Sequence, residues 1–527
     1  LMNIKGYTRT QAQNLVYSGG LSIYTTQDAS IQKILDEEYA DPSNYPDYVQ
    51  YALDYALTVQ NPDGEEVNYS KEMLRLYFQN EDPEFDLLFD SQEEAQSYVD
   101  RYKQSVLADG SKVVAERVNF APQPQSSMSV IDQHTGYVKA IVGGRGKKTA
   151  SLTLNRATDT TRQPGSTFKV VSTYAPALNE KGMTLATTFE DEPYNYPDGS
   201  PVENASRTYG GTTTIRKAIQ NSVNVVAVKC LEEVTPELGL QYLDNFGFTT
   251  LAHGTEADTD ANGTVWTDAN LPLALGGLTH GVTNVELCAA YAAIANQGNY
   301  IEPLYYTKIL DHSGNVLIEK TSAERSVIKE STAWLLTSAM EDVVKNGTGT
   351  ACQLDNMTVA GKTGTTDDYN DLWFVGYTPY YTCAVWSGFD NNEKLPDDYS
   401  RDFHKDMWRK VMTRIHEGLD DKDFEMPSTV EKISVCADTG LLPRSGCSVI
   451  TEFFDVGDVP TDYCEEHFYE PVIPEYTYEE TIIPEPSLTP ENPDGNGDQG
   501  DGNSDNGGDT GGGDTDGGDN GGGEITE

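Results

Sequence analysis

The sequence predicts an α/β fold in which one sheet is assembled from both ends of a long segment. Two observations carry this. Near residue 127 an alternating pattern (Met128, Val130, Asp132, then Val138, Ala140, Val142) flanks His134-Thr135-Gly136 and reads as a β-hairpin. Far downstream, three more strand patterns occur at Thr358–Gly364, Leu372–Tyr377 and Tyr381–Gly388, the last two joined near Thr378-Pro379. Between these ends, residues 166–345 are mainly helical patterns punctuated by Gly and Asn. Strands at both ends with helices between them give a sheet packed against helices.

Upstream, an apolar-alternating run (Leu21, Ile23, Tyr24) ends in Thr-Thr-Gln-Asp, and a helical pattern follows from Ile31 to Tyr39. Asn61-Pro62-Asp63-Gly64 reads as a turn between two strands, and Gln92 to Lys103 as a helix. A chain of 527 residues has room for several domains, since each takes roughly 100–200 residues. Residues 41–120 carry no recognisable chemistry, and residues 1–125 are assigned as an interdomain linker or pedestal. Residues 126–425 hold the α/β segment, 426–470 a small Cys-containing segment, and 471–527 an acidic tail.

The formal net charge is -48. The tail from Pro471 to Glu527 holds 15 acidic residues and no Lys or Arg. Such a surface excludes nucleic acid as the expected partner, because phosphate binding needs Lys and Arg. From Asn492 the chain is too rich in Gly and Asp to bury a core, and disorder is expected there. No strict nine-residue repeat supports calcium binding in it. No run approaches the ~18 apolar residues of a membrane span, and no signal peptide opens the chain.

Three short motifs occur in order: Ser166-Thr167-Phe168-Lys169, Ser222-Val223-Asn224 and Lys362-Thr363-Gly364. Each alone is weak, since Ser-x-x-Lys arises by chance about once or twice in a chain of this size. The context of Ser166 is more specific. Pro164-Gly165 ends the preceding segment, and Phe168, Val171, Ala175 and Leu178 continue a helical pattern. Ser166 is therefore expected to open a helix, with Lys169 on the same face and able to take its proton. A helix N-terminus also offers free N–H groups to the reacting centre. Pro176 is expected to kink or end that helix. Ser222 and Asn224 are in a loop feeding the next helix, where an N-cap is the plain alternative. Lys362-Thr363-Gly364-Thr365-Thr366 continues a strand, for which a solvated edge is the plain alternative.

The set of three resembles the signature of penicillin-binding proteins and related β-lactamases. Over most of residues 1–420 the chain resembles class A, bifunctional penicillin-binding proteins. Arg162–Lys169 (RQPGSTFK), Gly276–Gly298 (GGLTHGVTNVELCAAYAAIANQG), Asn346–Thr350 (NGTGT) and Asp371–Gly388 (DLWFVGYTPYYTCAVWSG) carry the likeness. Gly19–Asp28 (GGLSIYTTQD) looks like the junction that follows the glycosyltransferase domain in that family. That domain and the membrane anchor before it are expected upstream of Leu1. The resemblance implies a penicillin-binding, β-lactamase-like transpeptidase fold, with a five-stranded antiparallel sheet, flanking helices and a helical subdomain.

It also implies a function: cross-linking of peptidoglycan stem peptides at the extracytoplasmic face of the bacterial membrane, through an acyl-enzyme on Ser166. Penicillin and other β-lactams would acylate the same serine, and other cell-wall synthesis proteins are candidate partners. No cofactor is implied. Lys169 would be the base, Ser222 the proton relay and Asn224 the holder of the acyl amide. Lys362 would stand charged beside the substrate carboxylate and lower the pKa of Lys169. Thr363 and Thr365 would bind that carboxylate, and Gly364 and Thr366 complete the binding strand. Backbone N–H groups of Ser166 and Thr365 would form the oxyanion hole.

Two rivals use the same serine: a D,D-carboxypeptidase or β-lactamase with water as acceptor, and a penicillin sensor that does not turn over. No deacylating Glu of the class A β-lactamase kind can be placed. Tyr-rich stretches at Asn195–Tyr209 and Tyr377–Tyr381 are candidates to line an acceptor groove, with ordinary packing as the plainer reading. Cys436, Cys447, Cys464 and His467 form the one metal-like cluster. Cys464-x-x-His467 has ligand spacing, but Cys436 and Cys447 are too far apart for a knuckle. A disulfide within the cluster is the expectation for an extracellular protein, and no metal site is assigned.

Overall fold

The early hairpin and the three late strands meet in one sheet. A computed structural model describes residues 1–366 and 369–467. The acidic tail, with its expected disorder, lies outside the described residues. The strands are β1 (Gln125–Asp132), β2 (Tyr137–Val142), β3 (Ala360–Thr365), β4 (Asp371–Tyr377) and β5 (Thr382–Gly388). Their order is β3-β4-β5-β1-β2, antiparallel throughout. Lys362 stands opposite Val375, and Trp386 opposite Ser127.

Every residue of β4 and β5 is buried, as expected for central strands covered on both faces. Alternate side chains point to opposite sides. Trp373, Val375, Tyr377 and Trp386 join one core; Leu372, Phe374, Cys383 and Val385 join another. The helices that matter are α1 (Ala29–Ala40), α2 (Asn224–Val234), α3 (Asn284–Ala295), α4 (Glu330–Asn346) and α5 (Phe403–Ile415). Residues of α2, α3 and α4 fill the first core, whereas α1 and α5 supply the second with Leu35, Tyr39, Trp408 and Met412. Helix α3 is apolar nearly all round, which suits a helix enclosed on all sides. Thr283 and Glu286 start it with a capping box. Asn284 fixes it to the sheet, its Oδ1 accepting from the Ser129 hydroxyl at 2.6 Å.

Residues 1–125 are not uniform. α1 packs on the main sheet, and Ser22–Thr25 pairs with Tyr306–Leu310. Gln50–Gln60 pairs with Lys112–Gln123 and Glu66–Ser70, building a smaller sheet with its own core around Tyr55, Leu57, Val59, Phe78 and Val99. After α5, β6 (Val430–Cys436) and β7 (Val449–Asp455) form a hairpin. Arg216 bridges Glu452 and Asp342, each at 2.7 Å, and joins this hairpin to α4.

Three expectations need correction. Ser166 does not open a regular α-helix: a 3-10 turn (Gly165–Thr167) leads into a π-helical turn (Lys169–Tyr174) and then α-helix (Ala175–Asn179). Pro176 does not end the helix. It sits at the change from π to α register, where an α-helix would otherwise need its missing N–H. The expected disulfide is not formed, since all seven cysteines are free thiols. The stretch 188–214 also holds two short antiparallel pairings, Thr188–Asp191 with Gly211–Thr214 enclosing Tyr194–Asn195 with Pro201–Val202, that its pattern did not reveal. Strands of two to four residues are too short for alternation to register.

Candidate active site

Three backbone segments close on the residue before Ser166. Gly165 has φ +56°, and a Cβ there would lie 2.8 Å from the Thr365 carbonyl oxygen. A Cβ on Gly276 would lie 2.4 Å from the Gly165 oxygen, and one on Gly364 2.6 Å from the Pro164 oxygen. Only glycines permit this approach. Side chains then lock the turn. The Thr167 hydroxyl donates to Pro164 O at 2.8 Å, Tyr291 to Thr167 O at 2.6 Å, and the Trp373 indole to Gln163 O at 2.9 Å. The π turn is wider than an α turn, and such turns are frequent at functional sites.

Lys169, the first residue of that turn, is fully buried. Its Nζ donates to Ser222 O at 2.7 Å, Ser222 Oγ at 3.3 Å and Asn224 Oδ1 at 2.5 Å. Three acceptors match the three donors of an ammonium. Among the described residues no hydrogen bond joins Lys169 to Ser166 Oγ, so the expected direct pairing is absent in this state.

Ser222 explains why neither it nor Asn224 is a plain N-cap. The helix Ile215–Asn221 ends with Ser222 in the left-handed conformation, φ 57° and ψ 41°, a region that costs a non-glycine residue energy. Val223 then caps α2, and Asn224 is its first residue. The α2 N–H groups of Asn224 and Val225 are capped from a distance by Asn204 Oδ1, at 2.9 and 3.2 Å. That leaves the Asn224 side chain free for Lys169 on one side and Glu203 O on the other, at 2.7 Å.

From the facing strand β3, Lys362 Nζ donates to Ser222 Oγ at 2.8 Å and to Thr363 O at 3.1 Å. Lys362 is also fully buried. Among the described residues no carboxylate forms an ion pair with either lysine. Burial, and secondarily the charge of Lys362, hold Lys169 well below the usual lysine range. Burial brings Lys362 down to about 7. Burial thus works against the standing charge expected of Lys362 from the sequence.

A cavity of about 470 Å³ opens here, lined by Ser166, Asn224, Thr365 and Thr366 on one side. Tyr196, Trp266, Asn270 and Thr279 line it elsewhere. Thr363 hydrogen-bonds the Thr348 hydroxyl at 2.7 Å. The Thr366 hydroxyl accepts from Asp371 N at 2.9 Å, which ties it to structure. Of the two tyrosine stretches, the first gives Tyr196 to the cavity, whereas Tyr377, Tyr380 and Tyr381 pack against Thr337 and His416. Sequence reading missed Asn204 and the cavity carboxylates Asp268 and Asp371. Asp268 is committed, accepting from Ala252 N, Thr279 N and the Thr279 hydroxyl. Asp371 accepts from the Trp386 indole at 2.8 Å, and its Oδ2 has no hydrogen-bond partner among the described residues. Burial pushes its carboxyl up to about 6.

A sheet carrying Lys362 at one edge, facing a helical layer that presents Ser166, Lys169 and Ser222, is the architecture of transpeptidase-type penicillin-binding proteins. The crystal structure of penicillin-binding protein 1A from Haemophilus influenzae superposes with a TM-score of 0.59 at 20% identity, covering 86% of this chain and 75% of that one. The PonA1 protein of Mycobacterium tuberculosis, solved in complex with penicillin V, gives 0.56 at 20% identity, over 81% of this chain and 93% of that one. These likenesses establish the fold. The chain belongs to the family described as the penicillin-binding protein transpeptidase domain, which it matches over residues 127–413. Residues 426–469 match the penicillin-binding protein 1A C-terminal domain.

Among curated relatives, penicillin-binding protein 1A of Clostridium botulinum is 33% identical over 69% of this chain and 44% of its own length. That of Clostridium perfringens is 30% identical over 89% of this chain and 50% of its own length. The chain thus spans about half the length of the curated relatives it matches. Among the described residues no helix is long and apolar enough to cross a membrane.

Proposed function

We propose that the chain is a serine D,D-transpeptidase that cross-links peptidoglycan stem peptides through an acyl-enzyme on Ser166, and that penicillin and other β-lactams acylate the same serine. One observation carries this reading. Two dehydrated lysines, Lys169 and Lys362, converge on the single hydroxyl of Ser222 beside the nucleophile turn. An amine held below its usual range is a base near neutral pH. Neutral Lys169 keeps two donors and gains a lone pair. It releases one of its three acceptors, and the lone pair takes the Ser166 proton as Oγ attacks the carbonyl of the penultimate D-Ala.

The N–H groups of Ser166 and Thr365 receive the oxyanion, each such donor being worth about 3–4 kcal/mol. Lys362 and the hydroxyls of Thr363 and Thr365 bind the terminal carboxylate, which draws Lys362 back toward its charged form. Both lone pairs of the Ser222 hydroxyl face lysine nitrogens, so its own proton is left to pass to the departing D-Ala amine, and Lys169 then hands the proton taken from Ser166 to Ser222 Oγ. Asn224 holds the amide of the acyl chain, and Gly364 and Thr366 shape the strand beside it. The amine of a neighbouring stem then attacks the ester, restoring Ser166 and its proton. This substrate puts the activity at the extracytoplasmic face of the membrane.

Intact mass after mixing with a penicillin, followed by peptide mapping, tests the assignment. One adduct at Ser166 is expected, and Ser166→Ala should remain folded but take no fluorescent penicillin. Labelling that persists in that variant contradicts the proposal.

A further inference from the structure

The hairpin β6–β7 has a small core of its own, Ala186, Val435 and Phe454 with Ile433, Ile450 and Val459 packed against it, and only Val430 and Phe453 among its described residues reach the main core. So little apolar surface does not hold long connections in place, and small units of this kind need a staple. Cys436 ends β6, Cys447 stands two residues before β7, and Cys464 and His467 lie in the stretch after β7. In sequence the first two are too far apart for one knuckle; the fold closes that gap. The three sulfurs and a His467 ring nitrogen all lie within 4.8 Å of one another. His467 Nδ1 is 3.4 Å from Cys436 Sγ and 3.3 Å from Cys464 Sγ. Around a tetrahedral zinc, with Zn–S of about 2.3 Å and Zn–N of about 2.0 Å, donor atoms stand roughly 3.5–3.8 Å apart.

The surroundings are those of metal donors. His467 Nε2 faces Asp438 Oδ2 at 3.4 Å, the carboxylate partner that usually orients a ligating imidazole. A backbone N–H also points at one of the sulfurs, Arg444 N at Cys447 Sγ at 3.2 Å. A disulfide would consume two sulfurs and leave the third thiol and the oriented imidazole without a role.

We propose that Cys436, Cys447, Cys464 and His467 form a closed tetrahedral zinc site that staples the C-terminal hairpin. Four protein donors leave no open position, so the site is structural. Three thiolates with one imidazole suit zinc, and the bound ion has no redox chemistry of its own. The hairpin so held presents Glu452 to Arg216, on the helix that ends at Ser222.

The test uses the whole chain, purified without added metal or reductant. Elemental analysis should give about one zinc per chain. An organomercurial should release that zinc in step with modification of three thiols, while Cys230, Cys288, Cys352 and Cys383 stay protected by burial. Cobalt exchanged into the site should show thiolate charge-transfer absorption and the intense visible bands of tetrahedral geometry. Cys447→Ser should retain zinc at least about tenfold less well, with penicillin labelling of Ser166 reporting that the rest of the chain is folded. Because the wild-type metal count decides by itself, a variant that fails to fold does not rescue the idea. A chain without zinc whose mass is lower by two hydrogens is a disulfide and overturns it. So does stoichiometric iron, or a metal-free chain with all three thiols freely reactive.

Discussion

In the proposed mechanism Lys169 acts neutral and Lys362 acts charged, although burial draws both below the usual lysine range. Lys169→Ala should lower the rate of acylation by penicillin about a thousandfold, the scale of a lost general base. Lys362→Ala should weaken it less, through the lost carboxylate contact. Equal small effects from both would contradict the division. The pH profile is sharper still. Rate should rise as Lys169 loses its proton, and fall as Lys362 loses its own, at about 7 in the free site. In Lys362→Arg the alkaline fall should vanish, because a guanidinium keeps its proton. A fall that persists in this variant would place the titration elsewhere.

Asp371 permits a second test at this scale. Its carboxyl stands at about 6 against 3.8 for a free aspartate. A raised pKa means that the folded chain binds the proton more tightly. The stabilisation is therefore complete below 3.8 and lost as pH rises through 6. Asp371→Asn removes that dependence. Urea unfolding should show the variant gaining on the wild type between these values, by about 3 kcal/mol in total. A constant difference across the range would contradict the buried carboxyl. Ser166, Lys169 and Lys362 were legible as residues because their motifs are local. Asp371 and Asn204 were not: each takes its role from partners distant in sequence, Trp386 and the start of α2.

Among the elements, the nucleophile turn depends on backbone contact rather than side-chain chemistry. Gly276→Ala puts a methyl 2.4 Å from the Gly165 oxygen, so Ser166 must shift. Displacements near 1 Å cost about a hundredfold in rate, and acylation should fall by at least tenfold with the fold retained. Normal acylation in this variant would show that the approach is not needed. The sequence marked all five strands of the sheet through alternation or continuous apolar runs, each long enough to register. It did not mark the 3-10 to π to α succession. Helical periodicity distinguishes the three poorly over six residues, and Pro176 reads as an end when it marks a register change.

For the whole molecule, closing the sheet from both ends was legible, because two strand groups with helices between them have few other solutions. The smaller sheet of residues 50–123 was harder to see, since it pairs Gln50–Gln60 with Lys112–Gln123 across two helices. The acyl group on Ser166 is proposed to pass to an amine rather than to water. Water is present at about 55 M, so an amine wins only when positioned, and oriented groups reach effective molarities of ~10⁵ M or more. The committed state of Asp268 leaves it poorly suited to activate water at the ester. The decisive measurement is product partition from a thioester donor as a D-amino acid or glycyl amine is added. Aminolysis should displace hydrolysis at millimolar amine, and the penicilloyl adduct should persist for many minutes. An adduct that clears within seconds, with no amine competing against water, would make the protein a hydrolase and contradict the account.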